Sequence, residues 1–146
     1  MRIALASDHR GYALKQILIN KLQENYQIID LGTNSEDQVD FPIYGIALGK
    51  AIQNKEADLG IAICGTGIGI SIAANKVKGV MCAKISNEDE ARLAKEHNNA
   101  NVIALSGNTN PEQASKMVEA FLKAKPNSEK KYQRRIDQIL DYENEH

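Results

Sequence analysis

The chain is 146 residues long, enough for one core of ordinary size. Its 42% hydrophobic and 25% charged residues are those of a globular protein, and a net charge of −1 gives no overall field to attract nucleic acid or an anionic membrane. No apolar run approaches the ~18–20 residues that span a bilayer, and no signal-peptide pattern is visible. Two cysteines, Cys64 and Cys82, without C-x-x-C spacing are expected to be reduced thiols in a cytoplasmic protein rather than metal ligands or a disulfide.

Ile3 to Ala6 is a short apolar run that ends in polar Ser7-Asp8-His9-Arg10-Gly11. From Tyr12, the apolar residues Leu14, Ile17, Leu18 and Leu22 recur at helical spacing. Tyr26 to Leu31 reads as a second strand, closed by Gly32-Thr33-Asn34-Ser35. Phe41-Pro42 opens a helix with proline in its first turn, and its apolar positions are Ile43, Ile46, Ala47, Ala51 and Ile52. Leu59 to Ile63 is continuously apolar, as in a parallel strand buried on both faces. A glycine loop follows, then a helix from Ile68 to about Lys76, a strand from Val80 to Ile85 and a helix from Asn87 to Glu96. Asn101 to Leu105 is the fifth strand, Pro111 to Ala124 is an amphipathic helix, and a last helix runs from about 129 to 144.

Five β–α alternations with short connections predict an α/β protein with a five-stranded parallel sheet, helices on both faces and an extra C-terminal helix. The whole of 1–146 reads as one domain, without repeats or low-complexity tracts. In such sheets ligands sit beyond the carboxyl ends of the strands, which selects Ser7–Gly11, Cys64–Gly69 and Ser86–Asp89.

Cys64-Gly65-Thr66-Gly67-Ile68-Gly69-Ile70-Ser71 places three alternate glycines between a buried strand and a helix. Glycines let backbone N–H groups approach an anion closely, and the following helix aims its positive end at the same point. The loop lacks the Lys-Ser/Thr ending of a P-loop, and its glycine spacing is not that of a dinucleotide fingerprint. It is either an oxyanion or phosphate cradle or a tight turn. Cys64 at the strand tip is either a proton-abstracting thiolate or a small buried hydrophobe, and Cys82, inside a strand, reads as core. Asp8 and His9 either cap a helix or contact sugar hydroxyls and move protons. His97 and Asn98 lie in an asparagine-rich turn. The cations Lys130, Lys131, Arg134 and Arg135 on the last helix are either solvated surface or phosphate ligands. An appended terminal helix of this kind suits packing on a neighbouring subunit.

These segments together resemble the ribose-5-phosphate isomerase B family, whose relatives include the galactose-6-phosphate isomerase subunits. The matching pieces are Ser7 to Gly11, Asp30-Leu31-Gly32-Thr33, Val39-Asp40-Phe41-Pro42, the long run Cys64 to Lys76, and Glu96 to Val102, in order over nearly the whole chain. The resemblance implies a Rossmann-like α/β/α domain and metal-free, cofactor-free interconversion of an aldose phosphate and a ketose phosphate. It also implies a homodimer, or a tetramer of paired dimers, with sites shared between subunits. By resemblance, Cys64 is the base that moves a proton between C1 and C2, and Thr66 and His97 assist ring opening. Asp8, His9 and Asn98 contact the sugar or its phosphate, Gly65, Gly67, Ile68 and Gly69 stabilise the enediolate, and Lys131 and Arg135 supply phosphate charge.

Some members carry glutamate at the position of Ile70 and lack the cysteine; here Cys64 is present. Members commonly have Gly-Ile-Arg where this chain has Gly79-Val80-Met81, and Gly-Gly-Arg-His where it has Glu129-Lys130-Lys131-Tyr132. Arg135 matches the later family arginine and Lys131 stands in for the other. The leading expectation is therefore ribose 5-phosphate/ribulose 5-phosphate isomerisation. The altered cations keep open a six-carbon substrate such as allose or galactose 6-phosphate, and a non-catalytic sugar-phosphate-binding subunit is the reading outside enzymology.

Overall fold

The computed structural model describes residues 1–146. The strands are β1 (Arg2–Ser7), β2 (Gln27–Asp30), β3 (Leu59–Cys64), β4 (Cys82–Lys84) and β5 (Val102–Ser106). The helices are α1 (Tyr12–Leu22), α2 (Phe41–Gln53), α3 (Ile68–Asn75), α4 (Glu88–Asn98), α5 (Pro111–Lys123) and α6 (Lys130–Glu145). All strand pairs are parallel and the order across the sheet is β2-β1-β3-β5-β4, so the expected three-layer α/β architecture is present. The direction of winding reverses between β1 and β3. A reversal of this kind leaves a crevice beyond the carboxyl ends of the two strands, where open α/β sheets bind ligands.

Large and small residues alternate along the central strands, and this sets the two layers. Ile3, Leu5, Ile61, Ile63, Ile103 and Leu105 pack with Leu14, Leu18, Met117 and Phe121 of α1 and α5 on one face. Ala4, Ala6, Ala62, Cys64 and Ala104 face Leu48 of α2 and Ile70 and Ala74 of α3 on the other. The small face brings α2 and α3 close to the sheet. Gly45 and Gly49, four residues apart on α2, bring the two helices close to each other: a Cβ at Gly45 would lie 2.8 Å from that of Ala73, and one at Gly49 2.7 Å from Val77.

This corrects the expected face of α2. Its buried positions are Gly45, Leu48, Gly49, Ala51 and Ile52, whereas Ile43 and Ile46 are exposed. The fourth strand is also shorter than the apolar run Val80–Ile85 suggests. Val80 N–H is turned back onto Val77 O, and Met81 N–H is taken by the Asn101 side chain, so ladder pairing starts only at Cys82. The segment Ser86–Asp89 follows this edge strand and lies two strands from the β1/β3 reversal.

The last helix packs on its own chain. The ring of Tyr132 stacks on His97 of α4 with centroids 4.5 Å apart, Ile136 is buried, and Glu143 accepts the Gly79 N–H at 3.0 Å. Ile139 and Tyr142 remain exposed.

One buried charge fixes the β1–β2 side. Lys15 is fully buried, and its Nζ lies 2.8 Å from Asp30 Oδ1, which also accepts the Gly32 N–H at 3.0 Å. Gly32 O and Thr33 N–H then bond Ser7 at 2.8 and 2.9 Å, which starts the 33–40 loop alongside the tip of β1. Asp30→Ala leaves the Lys15 charge buried and unpaired, and is expected to destabilise the fold by roughly 3 kcal/mol in urea unfolding at fixed protein concentration.

Candidate active site

Because every strand runs the same way, the segments after β1, β3 and β5 converge on one edge. Backbone and side-chain bonds tie them together there. Asp8 N–H donates to Ile63 O at 3.2 Å, Gly107 N–H to Cys64 O at 2.8 Å, and Ser106 Oγ to Gly65 O at 2.6 Å.

The glycine loop is shaped by these contacts. Gly67 takes φ of +81°, and a Cβ there would lie 2.8 Å from the Leu105 carbonyl carbon, so the position needs glycine on two counts. Its N–H donates to Cys64 Sγ at 3.2 Å, which holds the buried sulfur as an acceptor at the start of α3. Ile68 N–H is taken by Thr66 Oγ1 at 3.1 Å. The amides of Gly65, Thr66, Gly69 and Ile70 have no acceptor within the chain. Uncommitted N–H groups at a helix N-terminus form a ready anion site. Phe41 lies against Gly69, where a Cβ would be 2.7 Å from its ring, and forms one wall.

Across the β1/β3 crevice, Asp8 is buried and its Oδ1 accepts the N–H groups of Arg10 and Gly11 at 3.0 and 3.1 Å. Asp8 thus caps this turn, as the first of its two sequence readings expects, and it stands beside the glycine loop. His9 Nδ1 sits 3.1 Å from both N and O of Val39. Both contacts engage Nδ1, so the ring is anchored to the Val39 backbone through that nitrogen and Nε2 makes no bond within the chain.

The remaining candidates are elsewhere. His97 and Asn98 end α4, which returns the chain to the amino edge of the sheet before β5 begins. Cys64 is level with Ser106 at the far end of β5, so about 16 Å of strand separates the two groups at ~3.3 Å per residue. Lys131 and Arg135, one turn apart on α6, are exposed and belong with Tyr132 and His97. Lys131 Nζ lies 3.6 Å from Glu129 and 5.1 Å from the Tyr132 ring centre. One chain therefore holds the candidate residues in two groups: Asp8, His9, Cys64, Thr66 and Gly65–Gly69 on the carboxyl edge, and His97, Asn98, Lys131 and Arg135 on the amino edge.

Sequence reasoning missed Tyr132 as the platform for His97, because its place in the helical period reads simply as part of an apolar face. It also missed Val39, which acts only through its backbone. A cavity of about 360 Å³ lies beside β4 rather than over Cys64, lined by Val80, Met81, Cys82, Asn98, Ile139 and Glu143 among others. Cys82 is half-buried on its wall rather than in the core, and burial pushes its thiol up to about 12 against a smaller opposing effect of the Ser71 hydroxyl.

The family model for ribose/galactose isomerases matches residues 3–139. The chain belongs to the ribose/galactose isomerase family. It is 44% identical to the probable ribose-5-phosphate isomerase B of Mycoplasma genitalium, over 98% of this chain and 96% of that one. It is 37% identical to ribose-5-phosphate isomerase B of Escherichia coli over 97% and 96%. The Clostridium thermocellum ribose-5-phosphate isomerase B structure superposes with a TM-score of 0.96 at 39% identity, covering 99% of each chain. The Mycoplasma genitalium structure with bound ribulose-5-phosphate gives 0.93 at 42% identity, over 99% of this chain and 97% of that one. Membership makes the chain an isomerase.

The two thiols are expected to separate cleanly. Burial keeps the Cys82 thiol protonated near neutral pH, so Cys82→Ala is expected to leave steady-state turnover within about twofold of the parent. A tenfold loss in kcat would place Cys82 in the chemistry.

Proposed function

We propose that this chain interconverts ribose 5-phosphate and ribulose 5-phosphate, with Cys64 as the proton-transferring base. The observation that carries the reading is the placement of Cys64 Sγ beside the uncommitted amides of Gly65, Thr66, Gly69 and Ile70 at the β1/β3 crevice. The bound ribulose-5-phosphate of the Mycoplasma genitalium relative supports the choice of substrate.

In this reading Thr66 and His97 assist opening of the sugar ring. The Cys64 thiolate then takes the proton from C2 of the open aldose. The C2–H bonding pair becomes the C1–C2 double bond, and the carbonyl pair moves onto O1. The resulting enediolate is opposed by the loop amides, which are fixed in place before charge develops. A proton passes from O2 to O1, the O2 pair forms the ketose carbonyl, and the thiol returns its proton to C1. Asp8, His9 and Asn98 hold the hydroxyls and the phosphate end.

The division into two half-sites supports a homodimer in which the amino edge of one copy completes the carboxyl edge of the other. An apolar face suits that contact: Ile43 and Ile46 of α2 and Ile68 and Ile72 of α3 are exposed, and α3 begins at the glycine loop itself. Lys131 and Arg135 of the second copy then bring cations to the phosphate.

Assay of the purified chain on five- and six-carbon sugar phosphates tests the reading. Ribose 5-phosphate is expected to give the higher kcat/KM; a clear preference for a hexose phosphate redirects the assignment to six-carbon sugars. Cys64→Ala is expected to lower kcat at least 10³-fold while substrate binding persists. Turnover is expected to survive chelation with EDTA.

The shared site has its own test. Cys64→Ala and His97→Ala chains, each inactive alone, are expected to regain about a quarter of wild-type activity when unfolded and refolded together, because half the dimers are mixed and each mixed dimer has one intact site. No recovery, with mixed dimers shown to form, would rule out sharing.

A further inference from the structure

We infer that Arg10 is a substrate-phosphate ligand of this isomerase, supplying from the carboxyl edge a cation that belongs to the same half-site as Cys64. The inference rests on the sugar-phosphate reading above.

Arg10 lies in the turn after β1, and its guanidinium is laid over Gly65. A Cβ built on Gly65 would be 2.9 Å from Arg10 Nη1, 3.0 Å from Cζ and 3.1 Å from Nε, so the guanidinium packs against the loop and the absence of a side chain at 65 makes the space for it. The base of the residue is held through its backbone. Its N–H is held by Asp8 Oδ1 at 3.0 Å, and its carbonyl packs on Gly107, where a Cβ would meet Arg10 O.

The guanidinium makes no ion pair and no hydrogen bond with the chain, and the residue is exposed. Its five N–H donors therefore lie at the loop without an acceptor in the chain. Other cations on this edge are committed: Lys15 to Asp30 in the interior, and Lys84 Nζ to Ser86 Oγ at 2.7 Å.

Two features assign the phosphate rather than the reacting carbons to Arg10. Cys64 packs into the α2/α3 face of the sheet, whereas the guanidinium covers the next residue from the side of the β1–α1 turn, so the two flank the loop from opposite sides. The neighbouring His9, fastened at Nδ1 to Val39, leaves Nε2 without a partner in the chain on the same side. A planar fork is a donor set matched to a phosphate dianion, which accepts bidentate bonds from arginine.

The test compares wild type with Arg10→Ala and Arg10→Lys. Arg10→Ala is expected to raise KM for ribose 5-phosphate, and Ki for inorganic phosphate as a competitive inhibitor, by roughly 10- to 100-fold each, with kcat within about threefold. Arg10→Lys keeps the charge but not the fork, and is expected to fall between the two. A fall in kcat with KM and phosphate Ki unmoved would place Arg10 at the reacting end and overturn the inference, as would no change in any of the three. Phosphate-dependent rise in Tm, measured on the same proteins, reads the contact without turnover. A wild-type chain stabilised by phosphate but inactive on sugar phosphates fails the parent reading alone, and active Arg10→Ala with unaltered phosphate affinity fails this one alone.

Discussion

The parallel pairing of all five strands governs everything else in the molecule. When strands run one way, each must be left at its carboxyl end, and a helix must carry the chain back to the other edge before the next begins. Whatever follows a strand is thus brought together, and whatever precedes one is sent to the opposite side. Asp8, His9 and the Cys64–Gly69 loop meet because they follow β1 and β3. His97 and Asn98 cannot join them within one chain because they precede β5. The reversal of winding between β1 and β3 then opens a gap beyond the carboxyl ends of these strands, the place where open α/β sheets admit ligands.

Packing converts this topology into a rigid platform. Alanines on one face of the central strands and glycines on α2 allow α2 and α3 to lie deep against the sheet and against each other. α3 is only eight residues long and has little stability of its own, yet its N-terminus must present free amides in fixed positions. Close contact with α2, and the seating of Gly67 on the Leu105 backbone, supply that constraint. The cost is borne at the surface, where Ile43, Ile46, Ile68 and Ile72 face outward.

Much of this was legible in the amino-acid sequence, and the reasons for success and failure differ. Alternating apolar runs and helical periods located every element, since burial on both faces leaves a compositional trace. The Cys64–Ser71 loop was legible because glycine at alternate positions after a buried strand has few other uses. The inward face of α2 was misread because its contact is made by Gly45 and Gly49, which a hydrophobicity pattern scores as nothing, while exposed Ile43 and Ile46 score as core. Cys82 was misplaced because β4 is an edge strand with a cavity beside it. The separation of His97 from Cys64 follows from topology and not from residue type, so motif matching alone joins what one chain holds apart. Arg10 escaped notice because its significance lies in a contact with a residue that has no side chain.

The bond from Gly67 N–H to Cys64 Sγ carries a consequence for stereochemistry. With Cys64 as base, the sulfur is pinned to one wall of the crevice and cannot pass around the sugar between taking a proton and returning it. Removal and delivery then occur on the same face of the carbon skeleton. Because the carrier is a single thiol buried away from bulk water, a deuterium placed at C2 is carried in part to C1 of the product instead of being washed out completely. The hand of the new C–H bond is set by which side of the loop the sulfur occupies, a choice already made when the chain folds.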